Sequence, residues 1–393
     1  MGTMAQLRAY RGPALLSYGF RPFFLFGALY AGLAMAAWLP VFQGELALAS
    51  AFAPIDWHVH EMLYGYLPAV ITGFLFTAIP NWTGRLPIKG TPLLTLVMVW
   101  IAGRLAVTLS AWIGWAAAAL IDGAFLALVA AMVAREILAG RNWNNLKVVV
   151  LIALLFAGNV AFHLEAHGQG QAWYGARAGI AVVILLIMVI GGRIIPSFTT
   201  NWLKRNKPGR LPVPFNRFDT AVLGLSAVAF IAWLALPAGA LPATILALAG
   251  AANIARLARW AGDRTLTDRL LLILHVGYAF VPLGFLLMAA ASLGLIAESA
   301  ALHAWTAGAV GVMTLAVMTR VSLGHTGREL AASGTTQAIY AVVIVGALAR
   351  ICAGLHPEWS GPLLHVAATA WAAAFLGFAA VYGPALWRPR AKG

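Results

Sequence analysis

Nine histidines are set in this chain of 393 residues, and their positions are the first chemical signal. The stretch "WHVHEM" (57–62) puts His58, His60 and Glu61 at the mouth of an apolar run, "LYGYLPAVITGFLFTAIP". Imidazole is a usual ligand for haem iron and for copper, and ionisable groups set in hydrocarbon are functional by default. His303 opens a second such run, and His163 lies at the far end of a third. On the opposite side lie His275, in "LHVGYAFVP", and His325, in "GHTGR". His303 and His325 sit 22 residues apart on one expected helix. At helical rise that is roughly 33 Å, so the two cannot share a metal. His58 and His60, two residues apart, point to different faces of a helix; His58 is then free to join a second centre with His163 or His365. His167 and His356 read as interfacial polar groups.

Two arginines extend the pattern. Arg104, in "WIAGRLAV", and Arg350, in "GALARICA", fall inside apolar runs and need anions. Haem propionates are carboxylates that suit a planar two-pronged guanidinium; a structural ion pair of Arg104 with Asp122 is the alternative. Glu61 and Asp122 are the plausible intramembrane proton carriers. Cys352 is the single cysteine. There is thus no C-x-x-C-H attachment motif, so a haem would be of the non-covalent b type. Copper would rest on histidine, with methionine at most in support.

The elements that must position these groups are membrane spans. The chain is 62% hydrophobic and only 10% charged, far below the roughly one quarter charged of soluble domains. Runs of about 20 apolar residues are expected near 21–40, 59–80, 92–110, 113–134, 146–165, 177–196, 219–237, 240–258, 270–294, 299–320, 336–355 and 363–386. The first follows Arg8 and Arg11 with no small-residue cleavage site after it, and reads as an uncleaved span. Short junctions make spans four and five, and nine and ten, antiparallel neighbours. The net charge of +14 reflects orientation and not nucleic acid. All Lys and Arg residues except Arg104, Arg177 and Arg350 fall in or beside the termini and the even-numbered connections, which places both termini in the cytoplasm.

Three stretches look alike: "TAIPNWTGR" from Thr77, "RIIPSFTTN" from Arg193 and "RVSLGHTGR" from Arg320. His60 precedes Thr83-Gly84-Arg85 by the interval at which His303 precedes Thr326-Gly327-Arg328, whereas span six carries Ala176 there. The reading is an all-α polytopic domain over 1–393, built from three parallel four-helix repeats at about 1–135, 136–258 and 259–393 with pseudo-three-fold arrangement. His60 and His303, at equivalent depth on equivalent helices, are expected to approach one centre.

In "WHVHEMLYGYLPAVITGFLFTAIPNWTGR", "GRIIPSFTTNW", "LHVGYAFVPLG" and "HAWTAGAVGVMTLAVMTRVSLGHTGR" the chain resembles the NnrS family over essentially its whole length. That resemblance implies a multi-pass protein of the bacterial inner membrane containing haem and copper, connected with nitric oxide and with tolerance of nitrosative stress. The function expected is binding or turnover of nitric oxide at a His-ligated metal centre between spans two, nine and ten. Nitric oxide reduction, with an electron donor the sequence does not name, is the alternative within this class. A transporter of metal or nitrosylated metal complexes is an alternative from another class. It is disfavoured by parallel repeats and by the absence of paired mid-membrane helix breakers. A haem-based sensor without turnover is a third.

The charge asymmetry generates a topology test. Reporter fusions after Lys207 and after Lys392 are expected to report cytoplasm, and a fusion between His167 and Ala172 the opposite side; an external C-terminus would refute the span count.

Overall fold

A hydrocarbon interior offers backbone amides no partner, so apolar runs of this length close their own hydrogen bonds as helices. The computed structural model describes residues 10–390 and has no strand among them; Arg8 and Lys392 lie outside these residues. Twelve helices are long and apolar enough to cross a membrane. Spans one to six are Phe20–Phe42, Pro54–Thr83, Thr91–Thr108, Trp115–Ala139, Trp143–Gln169 and Tyr174–Asn206. Spans seven to twelve are Arg217–Ala235, Ala240–Arg264, Arg269–Ser292, Glu298–His325, Gly334–Leu355 and Pro357–Trp387. Each expected span has its helix. Several run on past their apolar cores, as span six does through "NWLKRN", because a helix need not end where hydrocarbon does.

The chain divides into two compact units. The first holds residues up to Gly179, with Met318–Glu329 and the chain from Phe375 onward; the second holds Ile180–Val317 and Leu330–Ala374. In the first, span two packs on one and four, span three on four, and span four on five. In the second, span eight packs on seven and nine, span nine on ten, and span ten on eleven.

Spans two and ten are the most enclosed, each with 78% of its apolar window buried, against 39% for spans four, seven, eight and twelve. The helices that carry His60 and His303 are therefore interior. The outer helices turn large apolar side chains outward, among them Leu120, Ile231 and Leu248, as lipid contact requires.

Spans two and ten also share an irregularity. A π-helical segment runs over Glu61–Tyr66 in one and Ala304–Val312 in the other, each beginning directly after its histidine. Such segments concentrate at functional sites. The matching "TGR" motifs have a local cause too. Gly84 and Gly327 take left-handed φ values of 70° and 74°, which only glycine adopts freely. They end their helices, and Thr83 and Thr326 donate back to the carbonyls of Ile79 and Ser322.

Close approach in the second unit depends on small residues. At Gly284 on span nine an added Cβ would run into the Trp305 indole of span ten, whose Nε1 donates to the Val281 carbonyl at 3.1 Å. Gly284→Val is expected to lower stability by about 1–3 kcal/mol through overpacking. Gly361→Ala, with nothing within 4 Å of the new methyl, should leave it unchanged or slightly raised. Thermal melting of the detergent-solubilised protein checks both.

Candidate metal centre

Span two builds the site from its backbone outward. His60 ends the opening α-helical turns and Glu61 begins the π segment. Inside the π segment the carbonyl of Gly65 accepts a hydrogen bond from Trp100 Nε1 of span three at 2.9 Å. Gly65 has no side chain to spare: a Cβ there would strike the Arg104 guanidinium of span three. Tyr64, fully buried, passes its hydroxyl between Gly158 and Gly179 and donates to the Gly175 carbonyl at 2.6 Å. Spans two, three, five and the start of six are thus pinned around one point in the first unit.

At that point charges meet. Arg104 Nη1 donates to Glu61 Oε1 and Oε2 at 2.6 and 2.7 Å, and Nη2 donates to Asp122 Oδ1. The Tyr30 hydroxyl also donates to Glu61. Asp122 Oδ2 lies 3.0 Å from His163 Nε2 and 3.2 Å from His60 Nε2, and accepts from Asn159 Nδ2 at 2.8 Å. His60 Nδ1 is 2.8 Å from Glu61 Oε1, while its Nε2 also faces Asn159 Oδ1 at 3.2 Å. His60, Glu61, Asp122 and Asn159 are at most 1% exposed, and Phe52 and Phe162 close over the two imidazoles.

The inventory of charge decides what the site can hold. Two carboxylates oppose one guanidinium, which leaves a single buried negative charge. A proton on an imidazole or a cation can balance it, and burial without either would be costly. One donor atom from each of His60, Asp122 and His163 lies within 4.8 Å of the other two. The separations of 3.0 and 3.2 Å from Asp122 Oδ2 approach the roughly 3.3 Å between tetrahedral ligands bound at about 2.0 Å. Two imidazoles and a carboxylate suit a divalent first-row ion such as copper or iron.

The other expected site residues stand elsewhere. Arg104 takes the ion-pair alternative, with Glu61 as a second carboxylate besides Asp122, so its prongs are already engaged. Glu61 and Asp122 are correspondingly held as its counterions. His58 is stacked on Trp38, centroids 4.3 Å apart. His303 lies in the second unit, half-buried, with Nδ1 2.7 Å from the Ser299 carbonyl. His275, in the same unit, has Nε2 3.0 Å from Thr199 Oγ1. Its buried Nδ1 has no hydrogen-bond partner and lies so near Gly262 that a Cβ there would come within 2.6 Å. Both ring edges are enclosed, which argues against an open metal position. His325 packs in the first unit against Tyr18 and Phe20. His365 is exposed, with Nδ1 2.9 Å from the Gly361 carbonyl.

Reading the sequence missed Asn159 and Tyr30. Asn159 was detectable as the polar residue one turn before His163 in an apolar run; nothing marks Tyr30. It also missed a second network in the other unit, because Arg256 reads as one more cytoplasmic-side cation. Arg256 is fully buried. Its Nε donates to Asp219 Oδ1 at 3.0 Å, and Nη1 donates to the Tyr278 hydroxyl at 2.9 Å and the Met188 carbonyl at 3.2 Å. Tyr278 donates in turn to Asn253 Oδ1 at 3.0 Å. This network ties spans six to nine together.

The family model described as NnrS protein matches residues 14–390. No curated protein matches the chain.

Arg104→Gln would leave two buried carboxylates facing each other. It is expected to destabilise the protein by roughly 3–5 kcal/mol, and adding Glu61→Gln should recover at least half of that loss. Thermal melting of the single and double variants in detergent measures the coupling.

Proposed function

The chain belongs to the NnrS family, and on that premise we propose that it is a haem- and copper-containing multi-pass protein of the bacterial inner membrane that binds or turns over nitric oxide. The observation that carries this reading is the buried set of two imidazoles and one carboxylate, in a site with one carboxylate more than its guanidinium neutralises. His60, His163 and Asp122 would hold copper, and their hard carboxylate favours the divalent state.

Haem b is assigned to His303. Its Nδ1 donates to the Ser299 carbonyl, so Nε2 carries the lone pair. That backbone contact is a common way of fixing a ligating histidine. Gly354 of span eleven packs on Ser299 and Ala300 of span ten. One turn below it, Arg350 lies half-buried at the depth of His303, and among the described residues it forms no hydrogen bond or ion pair. Arg350 therefore suits a propionate, the role for which Arg104 is already engaged.

Bound haem iron or copper supplies a coordination position for a diatomic gas and one-electron chemistry. The protein's own share is electrostatic and steric. Arg104 fixes Asp122 by one oxygen and leaves the other to the imidazoles, Asn159 orients that oxygen, and Phe52 and Phe162 exclude water.

Metal analysis with oxidised and reduced absorption spectra of the purified protein tests this. His60→Ala, His163→Ala and Asp122→Ala are expected each to cut copper by at least about tenfold and to keep the Soret band. His303→Ala and Arg350→Gln should do the reverse. A folded wild-type chain with neither haem nor copper would sink the proposal.

A further inference from the structure

A narrow cavity of about 30 Å³ opens beside the buried centre, lined by Ala51, Phe52, Ser110, Trp115, His163 and His167 among others. A water molecule needs roughly 10–15 Å³ of such space, so the cavity has room for only two or three waters. His163 is the one residue that belongs both to this lining and to the buried donor set.

His163 and His167 are four residues apart on span five, which sets both imidazoles on one face. That is the spacing by which paired histidines on a helix hold a metal ion. His163 is 4% exposed, with Nε2 turned to Asp122. His167 is exposed, and its ring lies flat on Trp115, centroids 4.0 Å apart and planes 15° from parallel. The stack holds the imidazole at the rim instead of letting it sweep through solvent. Glu165, between the two histidines, is occupied elsewhere: it accepts from the backbone N–H groups of Tyr174 and Gly175 at 3.1 and 2.8 Å. Imidazoles, not a carboxylate, are the donors that this passage presents.

We infer that the cavity is the route by which the metal ion reaches the buried centre, with His167 capturing it at the surface and His163 handing it inward. The inference rests on the metal reading proposed above. A cavity with room for two or three waters cannot take an ion with its full hydration shell, so the ion must lose water as it enters. An imidazole at the rim replaces part of what is lost, and a second one turn deeper keeps the ion liganded until Asp122 and His60 complete its set.

The test uses purified full-length protein stripped of metal by a chelator and mixed with cupric ion. Excess EDTA quenches the mixture at timed intervals, and EDTA-resistant copper per chain reports the buried site. His167→Ala is expected to slow acquisition by about tenfold while the final copper content stays that of the wild type. Ala51→Trp, which fills the mouth from an exposed position, should slow it likewise. His356→Ala, at an exposed histidine paired with Glu358, should load at the wild-type rate. A wild type that loads while His167→Ala and Ala51→Trp, both folded by gel filtration, keep its rate overturns the route alone. A wild type that gains no EDTA-resistant copper overturns the centre and the route together.

Discussion

A guanidinium buried among membrane-spanning helices is costly without counter-charge or acceptors, and the first unit is organised around meeting that demand for Arg104. Glu61 from span two and Asp122 from span four answer it together, one on each prong. Either one alone would neutralise the arginine. Having both leaves a negative charge in excess, which a proton on an imidazole or a bound cation must balance. The histidines follow from it: His60 and His163 gather on the Asp122 oxygen that Arg104 does not use.

Bringing these groups together takes backbone adjustments that an ordinary α-helix does not allow. Where α-helix passes into the π segment of span two, consecutive residues, His60 and Glu61, meet in one interior cluster, and Gly65 within that segment accepts from Trp100. Glycine at position 65 lets the guanidinium lie against the span-two backbone, and glycines at 158 and 179 admit the Tyr64 ring. The π segment of span ten begins at the matching place after His303, but Ala304 stands where span two has Glu61. Among the described residues Arg350 forms no ion pair, whereas Arg104 has two carboxylates. One backbone feature thus stands in two different electrostatic environments.

Much of this was legible from residue types. The twelve spans are a direct reading of apolar run length, and "WHVHEM" declared itself because histidine and glutamate are conspicuous in hydrocarbon. The pairing of Arg104 with Asp122 was readable as an alternative, since their spans adjoin. Spacing alone does not join His163 to His60, nor does it draw Asn159 or Tyr30 into the site. Arg256, counted with the cytoplasmic cations by its place near a helix end, proved to be fully buried.

The sequence by itself determined which segments enter the membrane, where glycine lets some of their helices stop, and which few polar residues they carry inside. Those properties depend on run length, on glycines such as Gly84 and Gly327, and on the cost of polarity in lipid, all of them local. Only the tertiary structure decided that His60 keeps company with His163 and Asp122, and that His275 is walled in by Thr199 and Gly262. The reason is rotational. Faces turned to lipid and faces turned to protein are equally apolar, so hydropathy does not fix how a span is turned about its own axis. That angle, set by glycine contacts and buried ion pairs between helices, determines which ionisable groups meet.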